Sequence, residues 1–243
     1  VGTCNHNTIP SDYPFYYSSH IAPSYRYRRL KQLLDTPGIK SADNHWQFQR
    51  DTFNLMAETI APLMARALMV HDDTRRMADI LSHWNYHDDP DQAAPTIFQA
   101  VYRQFALLVF EDELGEELAV EMLNSWYFWQ ERLGKMVVEG NSAWFDNVKT
   151  ADVKESRDDL FHQAALAAAA NLAAEFGENP DNWLWGKVHQ IEFVSPIRRE
   201  GIGKGLLGGG SHPVLGSGET LGRGIYDFND PFAVTTMATL RMV

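Results

Sequence analysis

The chain has 243 residues, with 21 lysines and arginines against 32 aspartates and glutamates, a formal net charge of −11 and 44% hydrophobic residues. That acidic balance repels a phosphate backbone and argues against a nucleic-acid partner, while the apolar share is ample for a packed core and argues against disorder. The single cysteine, Cys4, excludes an internal disulfide framework, and no run approaches the roughly 18 to 20 apolar residues needed to cross a bilayer, so no membrane partner is expected.

Residues 1–24 are rich in Pro, Ser, Tyr and Asn without a sustained period, which predicts a strand end running into an ordered loop. Ser24 is placed to cap a short basic helix over 25–34, closed by Asp35-Thr36-Pro37-Gly38. From Asp43 a longer amphipathic helix is expected, because Trp46, Phe53, Met56, Ile60, Leu63 and Ala67 recur at spacings of three, four and seven; Pro62 should kink it.

Further helices are predicted over 72–84, with Asp72 and Asp73 at its N-terminal end, and over 95–110, with Pro95 in the first turn. Two more are expected over 112–138 and 154–176, the second stopped by Gly177 and Pro180. The middle of the chain, 25–180, therefore reads as a helical layer. Residues 181–243 change character: Val188 to Val194 is short and apolar, a glycine-rich run spans Gly201 to Gly218, and residues 232–243 alternate as a half-buried strand does. Val1 to Cys4 and Met242-Val243 read as strands without neighbouring turns, so partner strands are expected outside this sequence.

Several patterns could carry chemistry and are outweighed. His83 and His87 lie four apart, a spacing that can present two imidazoles to a metal, but Asp88-Asp89-Pro90 signals that the helix is ending there. Glu111-Asp112-Glu113, Glu116-Glu117 and Asp158-Asp159 lack the Glu-x-x-His spacing of bundle metal sites and read as solvated helix faces. Gly203-Lys204-Gly205 lacks the Ser or Thr and following helix of a phosphate loop, so a turn-rich connection is expected there. Trp126-Tyr127-Phe128-Trp129 points in different directions around a helix and reads as core. Trimming to Cys4 would expose an N-terminal thiol and amine, a minor alternative for a nucleophile.

Thr3-Cys4-Asn5-His6-Asn7, with Asp12-Tyr13-Pro14, Tyr25-Arg26-Tyr27-Arg28-Arg29-Leu30 and Leu33-Leu34, resembles the Asn-bearing strand end and Tyr-Arg helix of the penicillin acylase (penicillin amidase) family of N-terminal nucleophile hydrolases. Trp185-Gly186-Lys187-Val188-His189 and the late segment from Pro231 to Arg241-Met242-Val243 continue the likeness. The resemblance implies an α+β fold in which this chain is part of an αββα sandwich with a large, mostly helical insertion. It also implies hydrolysis of an acyl amide through an acyl-enzyme, started by an N-terminal Ser that serves as both nucleophile and base. Val1 can do neither, so the nucleophile is expected from remaining segments of the same precursor, and the chain alone is expected to be inactive.

By the same resemblance Asn5 aligns with the oxyanion-stabilising Asn, with Asn7 a weaker competitor; a fixed neutral amide suits that task because it donates without changing protonation. Arg26 aligns with an Arg near the nucleophile when Leu33-Leu34 sets the register, and Arg28 does so when Asp12-Tyr13-Pro14 does. A fixed charge there would keep an α-amine as free base. His189 is expected to be structural. The substrate class implied is a small acyl amide. No cofactor is expected beyond calcium, which the resemblance allows without naming ligands, and a periplasmic or secreted location follows from the resemblance alone. The rival reading is a non-enzymatic, mostly helical binding or scaffold domain.

Overall fold

A computed structural model describes residues 3–10, 12–18, 20–194 and 208–238. Helices dominate: α1 (Tyr25–Asp35), α2 (Ala42–Gln49), α3 (Leu55–Met69), α4 (Arg75–Ser82), α5 (Ala94–Leu114), α6 (Glu116–Asn124), α7 (Trp126–Glu139), α8 (Arg157–Phe176) and the single turn α9 (Trp185–Val188). The described strands β1 (Gln190–Phe193) and β2 (Gly210–Pro213) form one antiparallel pair, and β3 (Gly224–Tyr226) and β4 (Val234–Met237) another. The fold is thus mixed α+β, with helices carrying the core. No helix of the described residues is long and apolar enough to cross a membrane.

The long amphipathic helix expected from Asp43 is two helices. Phe53 keeps the apolar spacing, but it pairs with His87 as a β-bridge, while the Asn54 N–H donates to Tyr86 O and the Asp88 N–H to Thr52 O. With its backbone bonded sideways the chain leaves the helix, and the Asn54 side chain restarts it by accepting from the Ala57 N–H at 3.0 Å. Helix α3 then runs through Pro62 without interruption. The segment 112–138 likewise divides: α5 extends to Leu114, Gly115 ends it with φ of 79°, and Ser125 separates α6 from α7.

Other boundaries behave as expected. Pro95 lies in the first turn of α5, Gly177 terminates α8 and Ser156 starts it with a reciprocal cap to Asp159. At α4 the acidic pair acts elsewhere, Asp72 bonding Arg75 at 2.7 Å and Asp73 bonding His162 at 3.0 Å, with neither inside the helix. Ser24 precedes α1 without a side-chain cap bond.

Helices α3, α5 and α8 enclose the core, burying Met56, Ile60, Met64 and Leu68 from the first, Phe98, Val101 and Phe105 from the second, and Phe161, Ala165 and Leu172 from the third. Phe105 is at the centre, its ring 4.3 Å from that of Phe161 and 5.9 Å from that of Phe145. Phe105→Ala should cost about 3–5 kcal/mol in chemical denaturation, the transfer loss plus the cavity left behind; a loss under about 1 kcal/mol would mean that the helical layer repacks freely.

Residues 3–10 contain no strand among those described. The closing strand is shorter than the alternation predicts: Phe232 has φ of 81°, which breaks extended backbone, and β4 begins at Val234. Its exposure is also less regular, since Thr236 is exposed although it shares a face with buried Val234. Residues 201–207 of the glycine run, Val1, and Arg241-Met242-Val243 lie outside the described residues.

Candidate functional site

Asn5 sits in a bend with φ of 65°, a left-handed conformation that Asn tolerates better than most residues. Hydrogen bonds of its own backbone groups hold this bend. The Asn5 N–H donates to Thr3 Oγ1 at 3.1 Å, and Asn5 O accepts from the Ala22 N–H at 2.8 Å, which ties the bend to the approach of α1.

From the first turn of α1, Arg26 reaches back into this bend. Its guanidinium is nearly buried, and Nη2 donates to Cys4 O at 2.8 Å and to Asn5 Oδ1 at 3.1 Å. A guanidinium only donates, so the amide must present its oxygen to Arg26. The two N–H bonds of Asn5 Nδ2 are thereby turned the other way, on a residue that is itself exposed. The bend therefore displays a neutral, oriented pair of donors.

The other cations of α1 are engaged elsewhere. Arg28 lies over the Tyr25 ring at 5.4 Å, Arg29 grips Asp51 through Nε and Nη2 at 2.9 and 2.7 Å, and Lys31 pairs with Asp35. Of the two arginines that the sequence leaves open, Arg26 is the one in contact with Asn5. Asn7 is exposed, and its Oδ1 accepts from the Ile9 N–H at 2.9 Å. His6 stacks on Tyr27 at 3.8 Å between ring centres. Cys4 is half-buried and contributes its carbonyl to Arg26; burial pushes its thiol pKa up.

The described residues also include two buried carboxyl groups that sequence reasoning missed. Glu219 is 3% exposed; burial pushes its pKa up to about 7 while the Arg26 and Arg223 charges pull down. Asp88 is fully buried and is likewise raised to about 7, chiefly by burial; its Oδ2 accepts from Asn54 Nδ2 at 3.0 Å. Each has one oxygen, Asp88 Oδ1 and Glu219 Oε1, without a hydrogen-bond partner among the described residues.

Glu219 is carried by a tight turn. Ser217 N–H donates to Thr220 Oγ1 at 2.8 Å, Gly216 N–H to Asp88 O at 2.8 Å and Gly222 N–H to Asp51 O at 2.8 Å. The Trp185-Gly186-x-x-His189 element supports it, because buried Trp185 donates its indole N–H to Gly216 O at 2.9 Å. His189 is fully buried, stacks on Trp185 at 4.3 Å and bonds Phe232 O through Nδ1 at 2.8 Å. Burial lowers its pKa to about 4, so at neutral pH the ring is uncharged and Nδ1 carries the proton given to that carbonyl.

The remaining candidates are not assembled with Asn5. His83 is exposed at the end of α4, and His87 Nδ1 bonds Thr52 Oγ1 at 2.9 Å. Among the described residues no group of three or more His, Cys, Asp or Glu is placed to hold a metal ion. A cavity of about 280 Å³ between α5 and α8 is lined by Arg103, Leu172, Phe176, Lys187 and Phe232, and includes neither Asn5 nor Arg26.

Known proteins are similar to this chain along its whole length. The chain is 23% identical over 275 residues to the acyl-homoserine lactone acylase QuiP of Pseudomonas aeruginosa, covering 100% of this chain and 32% of that protein. It is 22% identical over 262 residues to the acyl-homoserine lactone acylase QuiP of Pseudomonas syringae pv. tomato, and 23% identical over 270 residues to that of Pseudomonas putida, with the same shares covered. The chain thus spans about a third of the length of these relatives. The family model for penicillin amidase matches residues 1–243, and the chain belongs to the penicillin amidase family.

Proposed function

We propose that this chain forms part of an acylase that hydrolyses the amide bond of N-acyl-homoserine lactones, and that it supplies the charge-stabilising side of the active site. The observation that carries this reading is the Arg26–Asn5 contact, which commits the amide oxygen and leaves two N–H donors facing outward from an exposed bend. Acyl transfer builds negative charge on the former carbonyl oxygen. A preorganised amide stabilises that charge without reorganising during the reaction.

In this reading the nucleophile is an N-terminal Ser supplied by sequence outside residues 1–243, whose α-amine removes the hydroxyl proton. Attack on the amide carbonyl gives a tetrahedral oxyanion, which accepts from Asn5 Nδ2. Collapse expels homoserine lactone as the amine, which takes the proton held by the α-amine; water, deprotonated by the same α-amine, then hydrolyses the ester to release the fatty acid and restore the Ser hydroxyl. Arg26 positions Asn5 through Oδ1 and fixes the bend through Cys4 O. The two antiparallel pairs β1–β2 and β3–β4 join further strands of an αββα sandwich, with the helical layer as an insertion. An exported protein fits this reading.

Mass spectrometry of products tests the reaction class. The full-length protein given an N-acyl-homoserine lactone should release free fatty acid and intact homoserine lactone. Opening of the lactone ring with the amide preserved, or no turnover of any acyl amide, would overturn the proposal.

A further inference from the structure

Two consecutive residues of α1 clamp the bend at residues 4–6. Arg26 Nη2 donates to Cys4 O at 2.8 Å and to Asn5 Oδ1 at 3.1 Å. Tyr27, next along the helix, lies face to face with the His6 ring, with 3.8 Å between ring centres and 13° between planes. The circuit closes inside the bend, because the Cys4 N–H donates to His6 Nδ1 at 3.3 Å. A backbone N–H only donates, so Nδ1 is the acceptor in this contact and carries no proton. Cys4 is therefore held through its carbonyl by Arg26 and through its N–H by His6, and Asn5 lies between the two.

This double hold bears on the residue it encloses. Asn5 has φ of 65°, and a residue other than Gly keeps a left-handed backbone only while its surroundings fix it. The Arg26 bond decides which atom of the amide is committed. Where the amide points depends as well on the backbone that carries it, and His6 ties that backbone to the face of Tyr27.

We propose that His6 is a positioning residue: seated on Tyr27, its ring accepts the Cys4 N–H through Nδ1 and so fixes the backbone from which the Asn5 amide is aimed. The inference rests on the reading of Asn5 as oxyanion donor. In this role His6 exchanges no proton and touches no substrate. Its two contacts can be separated by substitution. Asn Oδ1 occupies the same place along the side chain as His Nδ1, so His6→Asn keeps an acceptor for Cys4 and loses the stack, while His6→Phe keeps a face for Tyr27 and loses the acceptor.

The test uses the full-length enzyme and an N-acyl-homoserine lactone. His6→Ala should lower kcat by roughly 10- to 100-fold with KM changed by no more than about twofold, the scale expected when a catalytic group is slightly misplaced. His6→Asn and His6→Phe should each recover part of that rate. On an Asn5→Ala background, His6→Ala should cost almost nothing further in kcat, because a residue that acts by aiming an amide has no effect once the amide is gone. A wild-type kcat for His6→Ala, or a loss of the same size with Asn5→Ala already present, would overturn the assignment.

Asn5→Ala alone separates the two ideas. A silent Asn5→Ala beside a fully active His6→Ala removes only the role of His6, whereas an active Asn5→Ala removes the underlying reading. Should His6→Ala not fold, Tyr27→Leu reaches the same clamp from the helix side. It is expected to lower kcat by roughly 10-fold, again only while Asn5 is present, and an unchanged kcat in that variant would refute the proposal.

Discussion

Asn5→Ala in the full-length protein is expected to cut kcat by about 100- to 1000-fold, equivalent to about 2.7–4 kcal/mol of lost transition-state stabilisation, while stability falls by only about 1–2 kcal/mol because alanine tolerates the φ of 65° less well than asparagine. The two halves of this expectation have different origins. The loss of stability stays small because Asn5 is exposed and the bend retains the Arg26 bond to Cys4 O and the Ala22 N–H bond to Asn5 O. Turnover is lost because an alanine methyl offers no donor to a developing oxyanion. Asn5→Asp sharpens the test. A carboxylate would keep the partner of Arg26 and strengthen it, yet it has no N–H to give and adds negative charge where the reaction creates more. Both variants should therefore be silent, and substantial turnover by either would show that the outward amide is not the donor.

The second large effect is on folding. Gly216→Ala is expected to destabilise by about 2–5 kcal/mol, from a left-handed backbone penalty of about 1–2 kcal/mol and an overpacking cost of about 1–3 kcal/mol. Gly216 has φ of 78°, and a Cβ built there would lie 1.6 Å from Gly222 O and 2.5 Å from Thr220 Oγ1. Neither obstacle is free to move, since Gly222 O accepts from Thr220 Oγ1 at 3.0 Å and Gly222 N–H is bonded to Asp51 O. Gly38→Ala is the matched control, because Gly38 has φ of 109° with nothing within 4 Å of the added carbon. For chains of this size each kcal/mol moves Tm by about 2–4 °C, so Gly216→Ala should melt at least several degrees below Gly38→Ala. Equal melting temperatures would mean that the turn carrying Glu219 yields easily.

The helical layer was legible because its signals are local. Pro95, Ser156 and Gly177 mark helix ends through chemistry carried by a few neighbouring residues, and the stripe from Phe161 to Leu172 shows which face of α8 is buried. The errors share one cause. At residues 50–54 the apolar spacing continues straight through a break made by backbone bonds to residues 86–88, about 35 positions away, and period alone cannot register such a partner. Similarly, Phe232 keeps the strand alternation while its backbone, held by a bond from His189, leaves the extended region.

The candidate site divides along the same line. Asn5 and Arg26 could be nominated from their local context by resemblance, but the bond between them depends on how the loop folds back from Ala22. Glu219 carried no such mark. In the sequence it is one acid in a glycine-rich run, and only its burial, in a turn whose backbone is bonded to Trp185, Asp51 and Asp88, pushes the carboxyl up towards neutrality.

Arg26 grips the main chain of Cys4 and leaves its sulfur out of the contact. Any residue at position 4 offers the same carbonyl, so serine or alanine there can serve the anchoring equally well, and the thiol is chemically spare. The thiol is half-buried and burial keeps it protonated, so its exchange for serine should leave both the anchor and the neighbouring amide in place.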